Sequence, residues 1–165
     1  MSEKTAFIGL GVMGYPMAGH LKKSGFQVTV YNRTSAKAEQ WVKEFGGSKA
    51  ETPAEAAFGA DFVMSCVGND NDLRQVTIGE KGAFEGMSAS AVFIDHTTAS
   101  ASVARELAQK AQKREFGFLD APISGGQAGA KNGVLTVMVG GEQEAFDRAY
   151  PVIQAYSKMI KLLGP

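Results

Sequence analysis

The chain has 165 residues, 44% hydrophobic and 21% charged, which is the composition of one ordinary globular domain. Its 17 basic residues balance its 17 acidic residues, so no strong field attracts nucleic acid or an anionic membrane. No apolar run approaches the roughly 18 residues of a membrane helix, and no signal peptide precedes the first strand. We therefore expect a cytoplasmic domain with neither nucleic acid nor membrane as partner.

In the first half of the chain, short apolar runs alternate with amphipathic stretches. Residues 5–11 predict a buried strand that enters a glycine turn, and the helix after it should end near Gly25. Residues 26–31 predict a second strand. The second helix should begin with Ser35 as its N-cap and end at Gly46. The residues expected to face inward on these two helices are Met17, Ala18, Leu21, Ala38, Trp41, Val42 and Phe45.

The second half continues the same alternation. A short helix opens near Pro53, and a strand holds the chain's single cysteine, Cys66, for which we expect a buried free thiol in a reducing compartment. Further strands are expected at residues 91–95, 117–122, 135–141 and 158–163, with Pro151 kinking or breaking the last helix. The predicted fold class is therefore α/β, a Rossmann-type doubly wound, mostly parallel sheet with helices on both faces.

A glycine motif follows the first strand. Gly9, Gly11 and Gly14 form G-x-G-x-x-G, with Leu10, Val12 and Met13 between them. A strand precedes the motif, a helix follows it, and a second strand ends about 20 residues later, as in dinucleotide-binding folds. The glycines would give the tight turn, the close approach of a pyrophosphate and the helix–strand packing. A purely structural turn is the alternative.

The second strand ends in an unexpected triplet, Asn32-Arg33-Thr34. NAD-binding domains usually place an acid here to bind the ribose hydroxyls. A neutral amide tolerates a 2′-phosphate, and the guanidinium of Arg33 suits one, with hydroxyls and Lys37 nearby. We therefore predict NADP as the cofactor. The alternative is a solvated Arg33 and NAD.

The segment DAPISGGQAGAKNG places Ser124, Gly125 and Gly126 directly after a predicted strand. A hydroxyl beside exposed backbone N–H groups suits a carboxylate or a polarised oxygen. A plain flexible loop is the alternative.

Three segments, FIGLGVMGYPMAGHL, IDHTTAS and DAPISGGQAGAKNGVLTVMVGG, together resemble the β-hydroxyacid dehydrogenases. This family includes 3-hydroxyisobutyrate dehydrogenase, glyoxylate and succinic semialdehyde reductases and, more distantly, 6-phosphogluconate dehydrogenase. The resemblance implies that residues 1–165 are an NADP-binding Rossmann domain. It also implies an all-helical C-terminal domain, absent from this chain, in a full-length enzyme that we expect to be a homo-oligomer.

The resemblance also assigns residues. It places Thr98 near the nicotinamide, Val67 and Gly68 along the adenosine ribose, and Ser124, Gly125 and Gly126 on the substrate carboxylate or hydroxyl. Family members often have Leu-Pro where this chain has Val67-Gly68, and a serine where it has Thr97. The family's catalytic lysine lies in a K-x-x-x-N helix of the missing domain, so no catalytic residue is expected in this chain. Lys131 is interpreted as a surface lysine.

The remaining chemistry-bearing residues give no site of their own. His20 lies in a predicted helix, and His96 follows a strand without an identifiable acid partner. No spacing of His, Cys or Asp predicts a metal.

The parent enzyme is predicted to be an NADP-dependent oxidoreductase. It would transfer hydride between the nicotinamide and a small carboxylate substrate, a hydroxyacid or semialdehyde. An imine reductase and a non-catalytic NADP-binding module are the alternatives.

Overall fold

The computed structural model describes residues 3–165 as one nine-stranded sheet with helices on both faces. The strands are β1 (Lys4–Ile8), β2 (Gln27–Tyr31), β3 (Ser48–Lys49), β4 (Phe62–Ser65), β5 (Val92–Asp95), β6 (Gly117–Asp120), β7 (Ile123–Ser124), β8 (Leu135–Gly140) and β9 (Ser157–Gly164). The helices are α1 (Gly14–Lys23), α2 (Ser35–Phe45), α3 (Pro53–Ala57), α4 (Asp70–Thr77), α5 (Ala83–Gly86), α6 (Ala101–Lys113), α7 (Gly126–Asn132) and α8 (Gln143–Ile153).

The sheet runs in the order β3-β2-β1-β4-β5-β6, with every neighbouring pair parallel. Strand β8 then pairs antiparallel with β6 and β7 on one side and parallel with β9 on the other. The order reverses between β1 and β4, where one half winds towards β3 and the other towards β6. The predicted doubly wound, mostly parallel fold is confirmed, and a ligand is expected at the carboxyl ends of the strands beside this reversal.

The strands are buried on both faces, as their continuous apolar sequences predict. Neighbouring residues belong to opposite clusters: Phe7 and Met64 pack on the face covered by α1, α2 and α8, whereas Ile8 and Val63 pack on the other face. The residues expected to face inward on the first two helices all pack against the core, with Val42 and Phe45 only partly buried. The core therefore fixes the strand ends that form the site.

Several sequence-based expectations need correction. Ser35 is the first residue of α2 rather than its N-cap; Thr34 occupies the cap without a side-chain hydrogen bond. Pro151 does not break α8, which continues to Ile153 and passes into a 3₁₀ turn at Gln154–Tyr156. Helix α4 was not predicted, because its sequence DNDLRQVT is mostly polar and its narrow inward face consists only of Leu73, Val76 and Thr77.

Candidate functional site

The glycine turn connects β1 to α1, and its packing explains two of its glycines. Gly9 has a φ of +101°, and a Cβ there would lie 2.2 Å from the carbonyl oxygen of Cys66. A Cβ on Gly14 would lie 2.0 Å from the carbonyl oxygen of Gly9. Around Gly11, in contrast, nothing lies within 4 Å of an added Cβ. The turn thus requires glycine at positions 9 and 14, and leaves open space in front of Gly11.

Asn32 connects this turn to the end of β2. Its side-chain oxygen accepts a hydrogen bond from the Leu10 N–H at 2.9 Å, and its amide nitrogen donates to the Thr34 carbonyl at 3.1 Å. The Gly9 N–H also donates to the Tyr31 carbonyl at 2.9 Å. The sequence indicated only that Asn32 is not an acid; the structure shows that it also holds the turn.

A cleft of about 440 Å³ opens at the carboxyl ends of β1, β2 and β4. Ten residues of its wall were predicted to bind the cofactor: Gly9, Leu10, Gly11, Val12, Met13, Gly14, Asn32, Arg33, Val67 and Gly68. The opposite wall includes residues that the sequence did not indicate: Pro53, Asp72, Gln75, Val76 and Glu80. Most of these belong to α4 or follow it. Local signals for that helix were its acidic first turn and the N-cap Asn69, whose side-chain oxygen accepts the Asp72 N–H at 2.9 Å.

A smaller pocket of about 350 Å³ adjoins the cleft and shares Leu10, Gly11 and Asn32 with it. Its other walls come from Thr34 and from the first turns of α2, including Lys37 and Gln40. The side chain of Arg33 is 81% exposed. Two cationic side chains therefore stand beside the glycine turn, with no acid at the end of β2.

Thr98 and the Ser124–Gly126 segment lie outside the walls of both pockets. They follow β5 and β6, whose carboxyl ends share the edge of the sheet that holds the cleft. Thr98 and Ser124 are exposed. The segment is not a plain loop: Ser124 pairs with Thr136 of β8, and Gly126 begins α7 with a φ of +64°. The predicted residues thus form two groups along one edge.

Between these groups the structure buries polar side chains that the sequence left unexplained. His96 is only 1% exposed, with Nδ1 2.7 Å from the Ala121 carbonyl and Nε2 2.6 Å from the Tyr156 hydroxyl. Since a carbonyl can only accept, Nδ1 carries the proton and Nε2 accepts from Tyr156. Burial lowers the pKa of His96 to about 4, so it stays neutral at pH 7. Both nitrogens are occupied, which leaves His96 a core residue.

Asp95 lies beside it, fully buried. Its Oδ1 accepts hydrogen bonds from the Ser65 hydroxyl and the Thr97 N–H, both at 2.9 Å, whereas Oδ2 has no partner among the described residues. Burial raises the pKa of Asp95 to about 6, against the opposing effect of these hydrogen bonds. The Thr97 hydroxyl in turn accepts the Val67 N–H at 3.1 Å. This chain of contacts holds the β4 end of the cleft wall.

The remaining candidate residues are Cys66, His20 and Lys131. Cys66 is free but only partly buried, at the cleft wall, and burial raises its pKa to about 12, so the thiol is not a nucleophile at neutral pH. His20 Nε2 lies 2.8 Å from the Lys131 carbonyl and 3.1 Å from that of Ala130, at the end of α7. Lys131 is exposed on this helix, as expected.

Within residues 3–165, no group of three or more His, Cys, Asp or Glu side chains is placed to hold a metal ion. The helices of the same residues are all too short or too polar to cross a membrane.

Comparison with known proteins gives the family. Residues 4–164 match the family described as the NAD binding domain of 6-phosphogluconate dehydrogenase. An uncharacterized oxidoreductase of Shewanella frigidimarina is 64% identical over 98% of this chain and 56% of its own length. A probable mitochondrial 3-hydroxyisobutyrate dehydrogenase-like protein of Arabidopsis thaliana is 40% identical over 96% of this chain and 47% of its own length. The chain thus spans about half the length of these curated relatives.

The solved structures agree. A 3-hydroxyisobutyrate dehydrogenase of Mycobacterium tuberculosis, solved with L-serine, superposes with a TM-score of 0.92 at 30% identity, over 99% of this chain and 55% of that one. This likeness covers the glycine turn, the cleft and the Ser124–Gly126 segment together. Because the family match spans nearly every described residue, the chain belongs to the family of the 6-phosphogluconate dehydrogenase NAD-binding domain, as its resemblance to the 3-hydroxyisobutyrate dehydrogenases led us to expect.

Proposed function

We propose that this chain is the cofactor-binding domain of an NADP-dependent oxidoreductase. The parent enzyme interconverts a small hydroxyacid with the corresponding semialdehyde or 2-oxo acid. The bound cofactor would supply or accept the hydride at its nicotinamide ring. The residues of this chain would bind the cofactor, orient it and hold one end of the substrate.

The cleft fits a dinucleotide. The open space in front of Gly11 allows a pyrophosphate to approach the backbone, and the N-terminus of α1 begins within the same turn, at Gly14. Unpaired N–H groups and the helix dipole favour an anion at such a position. Asn32 accepts the Leu10 N–H, so one contact that orders the turn is made within the protein itself. This contact would lower the ordering that binding requires.

The single observation that carries the NADP assignment is the smaller pocket beside Arg33. Thr34 and Lys37 line it, and Asn32 replaces the usual acid. The exposed Arg33 lines the adjoining cleft, where its guanidinium lies 3.8 Å from Asp72. A 2′-phosphate in this pocket would meet two cations and a hydroxyl. A ribose bearing only hydroxyls would gain little from them.

The substrate end is proposed from the second group of residues. Thr98 would lie beside the nicotinamide, and the hydroxyl of Ser124 with the Gly125–Gly126 backbone would orient the substrate carboxylate. We propose that the proton donor is a lysine of an all-helical domain beyond the present chain. His96 does not compete for this role, because both its nitrogens are already bonded.

Calorimetric titration with NADPH and NADH tests the cofactor assignment. Arg33→Ala should weaken NADPH binding by about 1.5–3 kcal/mol, the cost of losing a charged hydrogen-bond partner, and leave NADH nearly unchanged. The matched control Arg33→Lys keeps the charge but not the planar fork, and should lose less. Equal losses for both cofactors would contradict the 2′-phosphate assignment.

Turnover assays on the protein extended by its downstream region test the substrate class. Glyoxylate or succinic semialdehyde should be reduced with NADPH, and Ser124→Ala should raise KM and lower kcat. The 165-residue chain alone should bind NADPH without detectable turnover. If the extended protein reduces cyclic imines in place of these acids, the imine reductase alternative is favoured. If the extended protein binds NADPH but turns over none of these substrates, a non-catalytic module is favoured.

A further inference from the structure

Two opposite charges, those of Arg33 and Asp72, lie close together in the lining of the cleft. Arg33 follows β2, and Asp72 lies in the first turn of α4 on the opposite wall. The Arg33 Nη1 and Asp72 Oδ1 atoms are 3.8 Å apart, within ion-pair range but too far for a hydrogen bond. The side chain of Asp72 is 32% exposed, against 81% for Arg33.

Asp72 is the better-anchored member of this pair. Its N–H donates to the Asn69 side chain at 2.9 Å, which caps α4. Gly68 leaves room for its carboxylate, because a Cβ at that position would lie only 3.0 Å from Asp72 Oδ2. Arg33, in contrast, extends into solvent from the segment between β2 and α2. The guanidinium can therefore move away while the carboxylate remains.

We propose that Asp72 is a specificity-determining residue that limits the preference for NADPH. The inference rests on the proposed use of Arg33 for the 2′-phosphate. Asp72 competes with that phosphate for the guanidinium and, being negative, also repels it. Both effects have the same sign, and neither acts on NADH, which carries no 2′-phosphate. Arg33 is exposed and Asp72 is partly exposed, so the effect is modest and salt-dependent.

The test is Asp72→Asn, titrated calorimetrically with NADPH and NADH on the full chain at low and high salt. The dissociation constant for NADPH should fall about two- to fivefold, the range expected from an exposed ion pair, and that for NADH should change less than about 1.5-fold. The gain should shrink at high salt. In an Arg33→Ala background, it should shrink by at least about half, because competition for the guanidinium is gone.

Glu80→Gln is the matched control, since Glu80 lines the same cleft and forms no ion pair with Arg33 within residues 3–165. Its effect on NADPH should be clearly smaller. Weaker NADPH binding by Asp72→Asn, equal shifts for both cofactors, or a gain no larger than that of Glu80→Gln would overturn the inference. If Arg33→Ala itself leaves NADPH binding unchanged, the 2′-phosphate assignment fails and the inference fails with it. If Arg33→Ala weakens NADPH but Asp72→Asn does not tighten it, only the role of Asp72 is overturned.

Discussion

Two regions along the same edge of the sheet differ in how far their polar groups are exposed to solvent. At the ends of β1 and β2 the chain places glycines, an amide and an exposed arginine around an open cleft. At the end of β5 it places the buried side chains of Asp95 and His96, here called the sealed region, in which His96 is hydrogen-bonded to Tyr156. Asp95 and His96 have side chains of types often used in catalysis, yet both are buried, whereas the proposed cofactor binding depends on the glycine turn, on Asn32 and on the exposed cation of Arg33. Exposure and free hydrogen-bonding capacity, rather than residue type, distinguish the candidate site from the core.

The largest loss of stability should come from Gly14→Ala, because Gly14 is required by the packing of the turn, whereas Gly11 is free for a ligand. Gly14→Ala places a Cβ 2.0 Å from the Gly9 carbonyl oxygen and 3.0 Å from the Phe7 ring, and should cost about 3 kcal/mol or more in the free energy of unfolding. Gly11→Ala meets nothing within 4 Å and should change stability by less than about 0.5 kcal/mol, while weakening NADPH binding. Thermal melts and calorimetry measure the two effects. Similar melting temperatures for the two variants would contradict the packing described for the turn.

The pH dependence of the free energy of unfolding should report the titration of the buried Asp95 and His96. Asp95 has a folded pKa of about 6 against an ordinary 3.8, so its contribution to stability is lost as pH rises from about 4 to 6. His96 has a folded pKa of about 4 against 6.5, so its contribution is lost as pH falls from about 6.5 to 4. In the wild type, stability therefore falls with rising pH because of Asp95 and rises with pH because of His96, and the two pH dependences oppose each other.

Asp95→Asn removes the pH dependence of stability that Asp95 causes and leaves that caused by His96. The variant's unfolding free energy should therefore rise relative to the wild type by about 2–3 kcal/mol between pH 4 and pH 7. Urea unfolding at a series of pH values measures this difference. Parallel pH profiles for the two proteins would show that Asp95 does not titrate in this range.

A smaller effect is expected from Tyr156→Phe, which removes one oxygen. His96 Nε2 then loses the hydroxyl that donates to it at 2.6 Å, and a buried acceptor without a partner costs about 1–2 kcal/mol. NADPH affinity should not change, because Tyr156 lies outside the cleft wall. Chemical denaturation and the same calorimetric titration test both parts. If Tyr156→Phe lowered NADPH affinity without lowering stability, Tyr156 and His96 would have to be counted among the cofactor-binding residues.

The features that could be predicted from the sequence are those that depend on residues close together along the chain. The spacing of Gly9, Gly11 and Gly14 between a strand and a helix indicated the turn and one wall of the cleft, and the buried strands indicated the sheet. The second wall escaped prediction because α4 is polar and held by tertiary contacts. The partners of His96 escaped as well, since Tyr156 lies 60 residues away. The tie between Asn32 and Leu10 spans 22 residues and likewise needs the folded sheet.

The most direct test of the account is an amide-resolved NMR titration of the 165-residue chain with NADPH. We expect saturable shifts at Gly9–Gly14, Asn32–Thr34 and Val67–Gly68, and much smaller shifts at Ala149–Tyr150 of α8, which line neither pocket. Saturation with the largest shifts at the glycine turn would support the cleft as the cofactor site. Absence of saturable shifts there, or larger ones centred elsewhere, would contradict it.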